Sequence, residues 1–300
     1  RARMSVGGLF VGLATLDVVQ LVDRLPGANE KTVAERSWLA AGGPAAVAAI
    51  AFAALGGRAR LWTALGSTPA ARLVLADLTG AGVDVVDVAP PGFELAASTV
   101  LLDASSGERS VVSGSGQVPR FGKIADPDLS GVDVVLLDGH HAPLARSAAL
   151  AARGSVTEVP RGTCATKGVP VVIDAGSHKP VFDEVFPLAS DVICSGDYAY
   201  PSGLATGDLL ALGPELVAVS HGGDPLVWWA AGTSGSISPQ PVKAVDTLGA
   251  GDVLHGAYCF GLATGLGRPE ALTFAVAAAS SRVRHLGPFA WRDALRDESE

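Results

Sequence analysis

Residues 245–258 read VDTLGAGDVLHGAY, placing Gly249, Gly251 and the carboxylate of Asp252 at the start of a stretch that continues as a helix. Glycine costs about 1 kcal/mol relative to alanine inside a helix. Its use twice here points to something that must come close to the backbone. The N–H groups of a first helical turn lack intrahelical acceptors and sit at the positive end of the helix dipole, an arrangement that suits phosphate. A carboxylate beside an anion site is adverse unless it acts on a second molecule that attacks the anion. The pattern therefore reads as phosphoryl transfer, with Asp252 facing the acceptor. The competing reading is a glycine-rich turn that lets a helix approach a strand.

Other reactive side chains are sparse. Adjacent histidines in the DGHH stretch at 138–141 point in different directions, and no third ligand stands at helical spacing, which disfavours a metal site. Cys164, Cys194 and Cys259 are widely separated, as expected of reduced thiols rather than a disulfide framework or a zinc site. His255 falls three residues after Asp252 and reads as helix packing.

Elements able to position these groups are visible in the pattern. Short β-branched runs recur at 132–139, 169–176, 190–196 and 215–223, each ending in Gly or Asp and separated by Ala/Leu-rich stretches. Continuous apolar strands of this kind predict a parallel sheet covered by helices on both faces, with ligands at the strands' carboxyl ends. Residues 13–39 and 93–118 alternate instead, the second around a Ser-Ser-Gly turn, and together predict a small antiparallel sheet standing off the edge as a lid. Its apolar face is expected to carry Val18, Leu21, Val33, Trp38, Val100 and Leu102. Residues 153–168 match nothing assignable.

Composition sets outer limits. The 300 residues are 48% hydrophobic and 17% charged with 37 glycines, enough for a large core in one domain. A net charge of −8 argues against nucleic acid or an anionic membrane as main partner. Residues 39–57 carry no charge, yet they are mostly Ala and Gly, and Gly-Gly-Pro breaks their front. What remains is a buried helix over 44–55 opened by Pro44. No basic, apolar and cleavage-site succession heads the sequence, so a cytoplasmic location is expected.

The stretch Asp246-Thr247-Leu248-Gly249-Ala250-Gly251-Asp252 resembles the signature of the ribokinase/PfkB family of carbohydrate kinases. The likeness extends in order and spacing through GLATLDVVQLVDRLP at 12–26, GG at 42–43, SSGER at 105–109 and SHGGDP at 220–225, and is nearest the ketohexokinase-like branch. It implies a ribokinase-like three-layer α/β/α sandwich, with a mostly parallel central sheet and a small antiparallel β lid formed by about 13–43 and 91–118, all in one domain. It implies ATP-dependent phosphorylation of a hydroxyl on a small sugar, with Mg²⁺ and a monovalent cation such as K⁺ as cofactors and a homodimer joined through the lids. A nucleoside kinase of the same fold, or a relative that binds without turnover, is the alternative.

Residue by residue, the resemblance makes Asp252 the base, with Gly249, Ala250 and Gly251 presenting N–H groups to the transferring phosphate. Asp17 and Gly43 match sugar contacts, and Asp138 and His140 sit where related kinases face the sugar. Arg109 matches a lid arginine that reaches the nucleotide phosphates, and Ser220, Gly222, Gly223 and Asp224 match the nucleotide loop. The segment 284–289 is expected to flank adenine. The chain departs from the family pattern at Pro44 and Val47, where polar sugar contacts are usual, and at Pro225 in place of a glycine. The family's magnesium motif falls at Ser195-Gly196-Asp197-Tyr198 with neither end kept, leaving Asp197 as the one candidate ligand.

Overall fold

The computed structural model describes residues 5–114, 119–154 and 168–299. Cys164 and the unassigned stretch 155–167 lie outside the described residues. The chain opens with β1 (Gly7–Val11), β2 (Thr15–Val22) and β3 (Arg36–Gly42), followed by α1 (Pro44–Ala54), β4 (Arg58–Thr63), α2 (Pro69–Gly80) and β5 (Val83–Asp87). Then come β6 (Ala97–Asp103), β7 (Arg109–Ser113), β8 (Val134–Leu137), α3 (Ala142–Gly154), β9 (Val171–Ala175), the single turn α4 (Phe182–Val185) and β10 (Asp191–Ser195). The last part holds β11 (Leu216–His221), β12 (Asp224–Ala230), β13 (Thr233–Ile237), α5 (Ala250–Ala263), α6 (Arg268–Arg282) and α7 (Ala290–Ser299).

The four apolar runs at 132–139, 169–176, 190–196 and 215–223 each contain a strand, β8 to β11. They pair in parallel at the centre of a nine-stranded sheet of order β13-β12-β11-β10-β9-β8-β1-β4-β5, where β12 alone runs against the other strands. Alternate residues of each strand feed opposite layers, which explains why the runs are apolar throughout. Phe10, Leu136 and Ile193 pack under α1, α5 and α6, whereas Val11, Leu137 and Cys194 pack toward α3 and α4. The expected three layers are present.

The uncharged stretch at 44–55 folds as α1, buried along nearly its whole length, with Pro44 in its first turn. Its alanines allow close approach of α5: a methyl on Gly256 would stand 2.3 Å from the Ala48 carbonyl oxygen. Close packing therefore explains the Ala/Gly bias. No helix among the described residues is long and apolar enough to cross a membrane.

The lid is a four-stranded sheet of order β3-β2-β6-β7. Each sequence segment contributes an antiparallel hairpin, and the two hairpins join through a parallel pairing of β2 with β6. The expected apolar face needs correction. Val19, Leu21, Val100 and Leu102 turn inward, with Trp38, Leu248 and Leu286 packed against them, so the protein covers this face itself. Val18 faces outward because side chains alternate along a strand and positions 18 and 21 cannot share a side. Val33 lies outside any strand and is exposed.

Candidate active site

Thr247, Leu248 and Gly249 link the lid to α5, and the sequence dictates their path locally. The Asp246 carboxylate accepts the Leu248 N–H at 2.9 Å, an Asx turn that reverses the chain. Gly249 then adopts φ 73°, a left-handed conformation costly for other residues, and α5 begins at Ala250. Gly251 is different. Its φ is not in the left-handed range and a methyl group there would meet nothing within 4 Å. Neither packing nor backbone geometry inside the protein asks for glycine at this exposed first-turn position. It leaves the N-terminus of α5 open to an external group.

Asp246 is fully buried and paired with buried Arg282, 3.1 Å away. The same carboxylate accepts the Gly287 N–H at 2.9 Å, and Arg282 donates to the carbonyl oxygens of Asp246 and His285. This network fixes the GAGD turn to the segment after α6. Leu286, Gly287 and Pro288 accordingly pack under the lid: Gly287 sits against Trp38, Leu286 joins the lid core, and Pro288 lines a cavity with Asp17 and Asp252. Within the segment expected to flank adenine, residues 286–288 are thus held against the lid by the buried Asp246–Arg282 pair.

Asp17 comes from the inward face of β2 in the lid. Gly42, across the β2–β3 pairing, leaves room for it, since a methyl there would overlap the Asp17 carboxylate. Thr15 donates its hydroxyl to Asp17 at 2.7 Å, while burial pushes the carboxyl up from its usual range and Thr15 opposes this. Gly43, at φ 96°, caps α1 and faces the same space.

A cavity of about 450 Å³ opens between the lid and the strand ends, and its wall brings together Asp17, Gly43, His140, His141, Leu248 and Asp252. A narrower one of about 50 Å³ shares Asp17, Gly43, Leu248 and Asp252 and adds Val47 and Gly249. Burial and the Asp174 carboxylate push Asp252 up to about 7, with His255 and Arg109 pulling it down and Asp17 adding to the rise. A carboxyl held near 7 is poised to exchange a proton at neutral pH. A further cavity of about 440 Å³ is lined by residues of β1, β4 and β5 and by 121–128; its Arg60 pairs with Asp84 and Asp128.

Asp138 does not face that cavity as expected. It is buried, and its carboxylate accepts the N–H groups of Leu13, Ala45 and His140 at 2.8, 3.2 and 2.9 Å. The strand-end aspartate thus ties β1, α1 and β8 together beneath the site, a role set by three orphan amides converging on it. His140 is exposed and lines the cavity. Its neighbour His141 was not anticipated. Buried, and lining the same cavity, it has no hydrogen-bond partner on either ring nitrogen, and burial pushes it down from the usual histidine range. A neutral imidazole offers one donor and one acceptor. Nothing in the DGHH string distinguishes the two histidines; the turn after β8 does.

Arg109 reaches from the lid to the anion turn, donating to the Thr247 carbonyl and hydroxyl oxygens at 3.2 and 2.9 Å. Ser220 is the next-to-last residue of β11, and Gly222 and Gly223 make the exposed turn into β12, which begins at Asp224. Gly196 packs against His221, so the turns after β10 and β11 are neighbours, with Asp197 exposed beside them. The described residues contain no group of three or more His, Cys, Asp or Glu side chains placed to hold a metal ion.

Comparison with known proteins places this geometry in context. The model of the pfkB family carbohydrate kinases matches residues 9–291. A ribokinase of Bacillus subtilis is 26% identical over 92% of this chain and 92% of its own. A ketohexokinase of Mus musculus is 24% identical, covering 91% of this chain and 95% of its own. Among solved structures, a putative ribokinase from Agrobacterium tumefaciens superposes with a TM-score of 0.84 at 27% identity, over 98% of this chain and 97% of that one. An Arabidopsis thaliana ribokinase complexed with ribose and ATP gives 0.76 at 23% identity, over 99% of each chain. With a match spanning nearly its whole length, the chain belongs to the pfkB family of carbohydrate kinases and is an ATP-dependent sugar kinase.

Proposed function

We propose that the chain transfers the γ-phosphate of ATP to a hydroxyl of a small sugar derivative held between Asp17 and Asp252. The observation that carries this reading is Gly251, a glycine unexplained by the protein's own packing, one residue before a carboxylate pushed up to about 7. Gly249, Ala250 and Gly251 present first-turn N–H groups to the transferring phosphate. Asp252 takes the hydroxyl proton as the new oxygen–phosphorus bond forms and the bond to ADP breaks. Against an alcohol near pKa 16, a base at about 7 faces a gap of roughly nine units, or about 12 kcal/mol. The proton therefore leaves late, once the oxygen has begun to bond to phosphorus, which suits a loose transition state.

Asp17 and neutral His141 supply acceptors and a donor for other hydroxyls of the substrate. Pro44 and Val47 offer no side-chain hydrogen bonds; Pro44 lines the larger cavity with Phe93, Val100 and Val111, and Val47 lines the narrower one. This lining favours an acceptor with an apolar portion over a fully hydroxylated sugar. Asp197 supplies a single carboxylate, so Mg²⁺ rides mainly on the nucleotide phosphates and water. When bound, it neutralises charge on the phosphates.

The direct test is release of ADP from ATP over a panel of sugars, sugar acids, deoxysugars and nucleosides. Saturable turnover on a sugar derivative is expected; turnover on nucleosides alone would reassign the substrate class. No turnover with intact nucleotide binding would indicate a binding protein. In the same assay, Asp17→Ala should raise the acceptor KM roughly 10- to 100-fold, the worth of a hydrogen bond to a charged group, and leave the ATP KM nearly unchanged. Equal loss for both ligands would assign Asp17 a structural role.

The lid's outer face carries one cross-strand row, Leu39, Val18, Thr99 and Val112, spanning all four strands. Leu39 is 52% exposed and Val112 72%. Apolar side chains on an open sheet are an association surface, and two lids packed through this row would form a homodimer. Light scattering should give twice the monomer mass for the parent protein and the monomer mass for Leu39→Asp/Val112→Asp. A monomeric, active parent protein would refute the dimer.

A further inference from the structure

His255 does not merely pack. It is buried on the inner side of α5, and every polar neighbour of its ring is an oxygen acceptor. Nδ1 lies 2.7 Å from the Gly251 carbonyl oxygen, and Nε2 lies 3.3 Å from the Ile193 carbonyl oxygen and 3.6 Å from a carboxylate oxygen of Asp174 on β9. A neutral imidazole can donate from one nitrogen alone, and would turn the lone pair of the other toward an oxygen. A ring carrying protons on both nitrogens could donate to all of these oxygens. The ring also joins three parts of the site: the first turn of α5, the middle of β10, and the buried Asp174 carboxylate.

We propose that His255 is a positioning residue for Asp252: a cation built into α5, clamped by Asp174 and two main-chain oxygens, which offsets the two neighbouring carboxylates and holds the base in its ionised form. The proposal rests on the reading of Asp252 as the base that accepts the hydroxyl proton.

The charged groups around Asp252 come from every side of it. Asp174 from β9 and Asp17 from β2 disfavour its charge, whereas His255 from α5, Arg109 from β7 and Arg282 from α6 favour it. Arg109 already donates to Thr247 and Arg282 is committed to Asp246, so His255 is the cation that faces Asp174 directly. The nearby thiols add no charge: burial pushes Cys194 up to about 12 and Cys259 well above its usual value. Without His255, Asp252 and Asp174 would be left as a carboxylate pair with one fewer counter-charge.

The test titrates Asp252 directly in the full chain by carboxyl-carbon NMR, its signal identified by its loss in Asp252→Asn. Replacing His255 by Gln should raise the Asp252 midpoint by about one unit, with the acidic limb of the kcat profile moving the same way. At pH 7 kcat should fall by about fivefold, with the ATP KM changed less than about twofold. Adding Asp174→Asn to that variant removes the unpaired anion and should bring the midpoint back toward the parent value, a rescue that a packing role would not produce. Imidazole nitrogen shifts of the parent protein supply a measurement that needs no variant to fold: at pH 7 the His255 ring should carry protons on both nitrogens. A neutral ring, or an Asp252 midpoint unmoved in folded His255→Gln, would overturn the proposal. Because these readings need no turnover, a parent protein inactive on every acceptor would sink the proposed reaction without deciding the role of His255.

Discussion

Asp252→Asn is expected to lower kcat by about 10²- to 10⁴-fold, the usual cost of losing a general base, while the ATP KM stays within severalfold. The asymmetry follows from the proposed roles: Asp252 lines the cavity proposed for the acceptor, whereas main-chain N–H groups of the GAGD turn are proposed to meet the phosphate. The parent enzyme should also lose kcat/KM below a midpoint of about 7, where Asp252 becomes protonated, and the limb should vanish in the variant. Stability should move the other way. The folded protein holds this carboxyl above its unfolded value, so it binds the proton more tightly than the unfolded chain does. Below about pH 4 both states are protonated and nothing is lost. As pH rises from about 4 to 7, the folded state loses a few kcal/mol that an amide would not lose, and the loss is complete above 7. Thermal melts should therefore show Asp252→Asn more stable than the parent at pH 8, with the two converging near pH 4. Parent-like turnover in the purified variant would remove Asp252 from the chemistry, and parallel melting curves at all pH values would refute its raised pKa.

Arg282→Met should be the most destabilising single change near the site. It leaves the Asp246 carboxylate buried with only the Leu248 and Gly287 N–H groups to hold its charge. Removing one partner of a buried ion pair costs about 3–5 kcal/mol. For a chain of this length that is a fall in Tm on the order of 10 °C. Because the pair fixes the turn that places Leu248 and Gly249, the surviving folded fraction should show weakened nucleotide affinity as well. Asp246→Asn retains hydrogen bonding to the two amides and should cost less. A change below about 1 kcal/mol in Arg282→Met would mean that the carboxylate reaches water or a different cation in the folded state.

Much of the architecture was legible in the sequence because it is written in local rules. Fully apolar strand runs ended by Gly or Asp specify a sheet buried on both faces, and β8 to β11 fall where those runs do. Pro44 and an unbroken series of small residues specify a buried helix, found as α1. The lid strands are recognisable as alternating segments, but their inward face follows the two-residue period and not apolar character alone. Parity alone separates Val18 from Leu21, and Val33 belongs to a loop. The parallel joining of the two hairpins had no local signal, since it depends on segments distant in the chain meeting side by side.

At the site the division is similar. The GAGD turn is local, because the Asx turn at Asp246, the left-handed Gly249 and the open Gly251 act within a few residues of one another. The family resemblance spread along the chain singles out Asp17 and Gly43 as sugar contacts. What surrounds each remaining polar group depends on parts of the chain that meet in the folded protein. Asp138 looked like a substrate ligand, but three distant amides claim its carboxylate, and a carboxylate so satisfied has little left to offer a sugar. His141 and His140 are indistinguishable as letters, yet one is buried without partners and the other exposed. His255 became more than packing when the fold set Asp174 and the Ile193 carbonyl against it. The strength of a base depends on desolvation and on charges a few ångströms away, and both are properties of the assembled structure that no stretch of sequence carries alone.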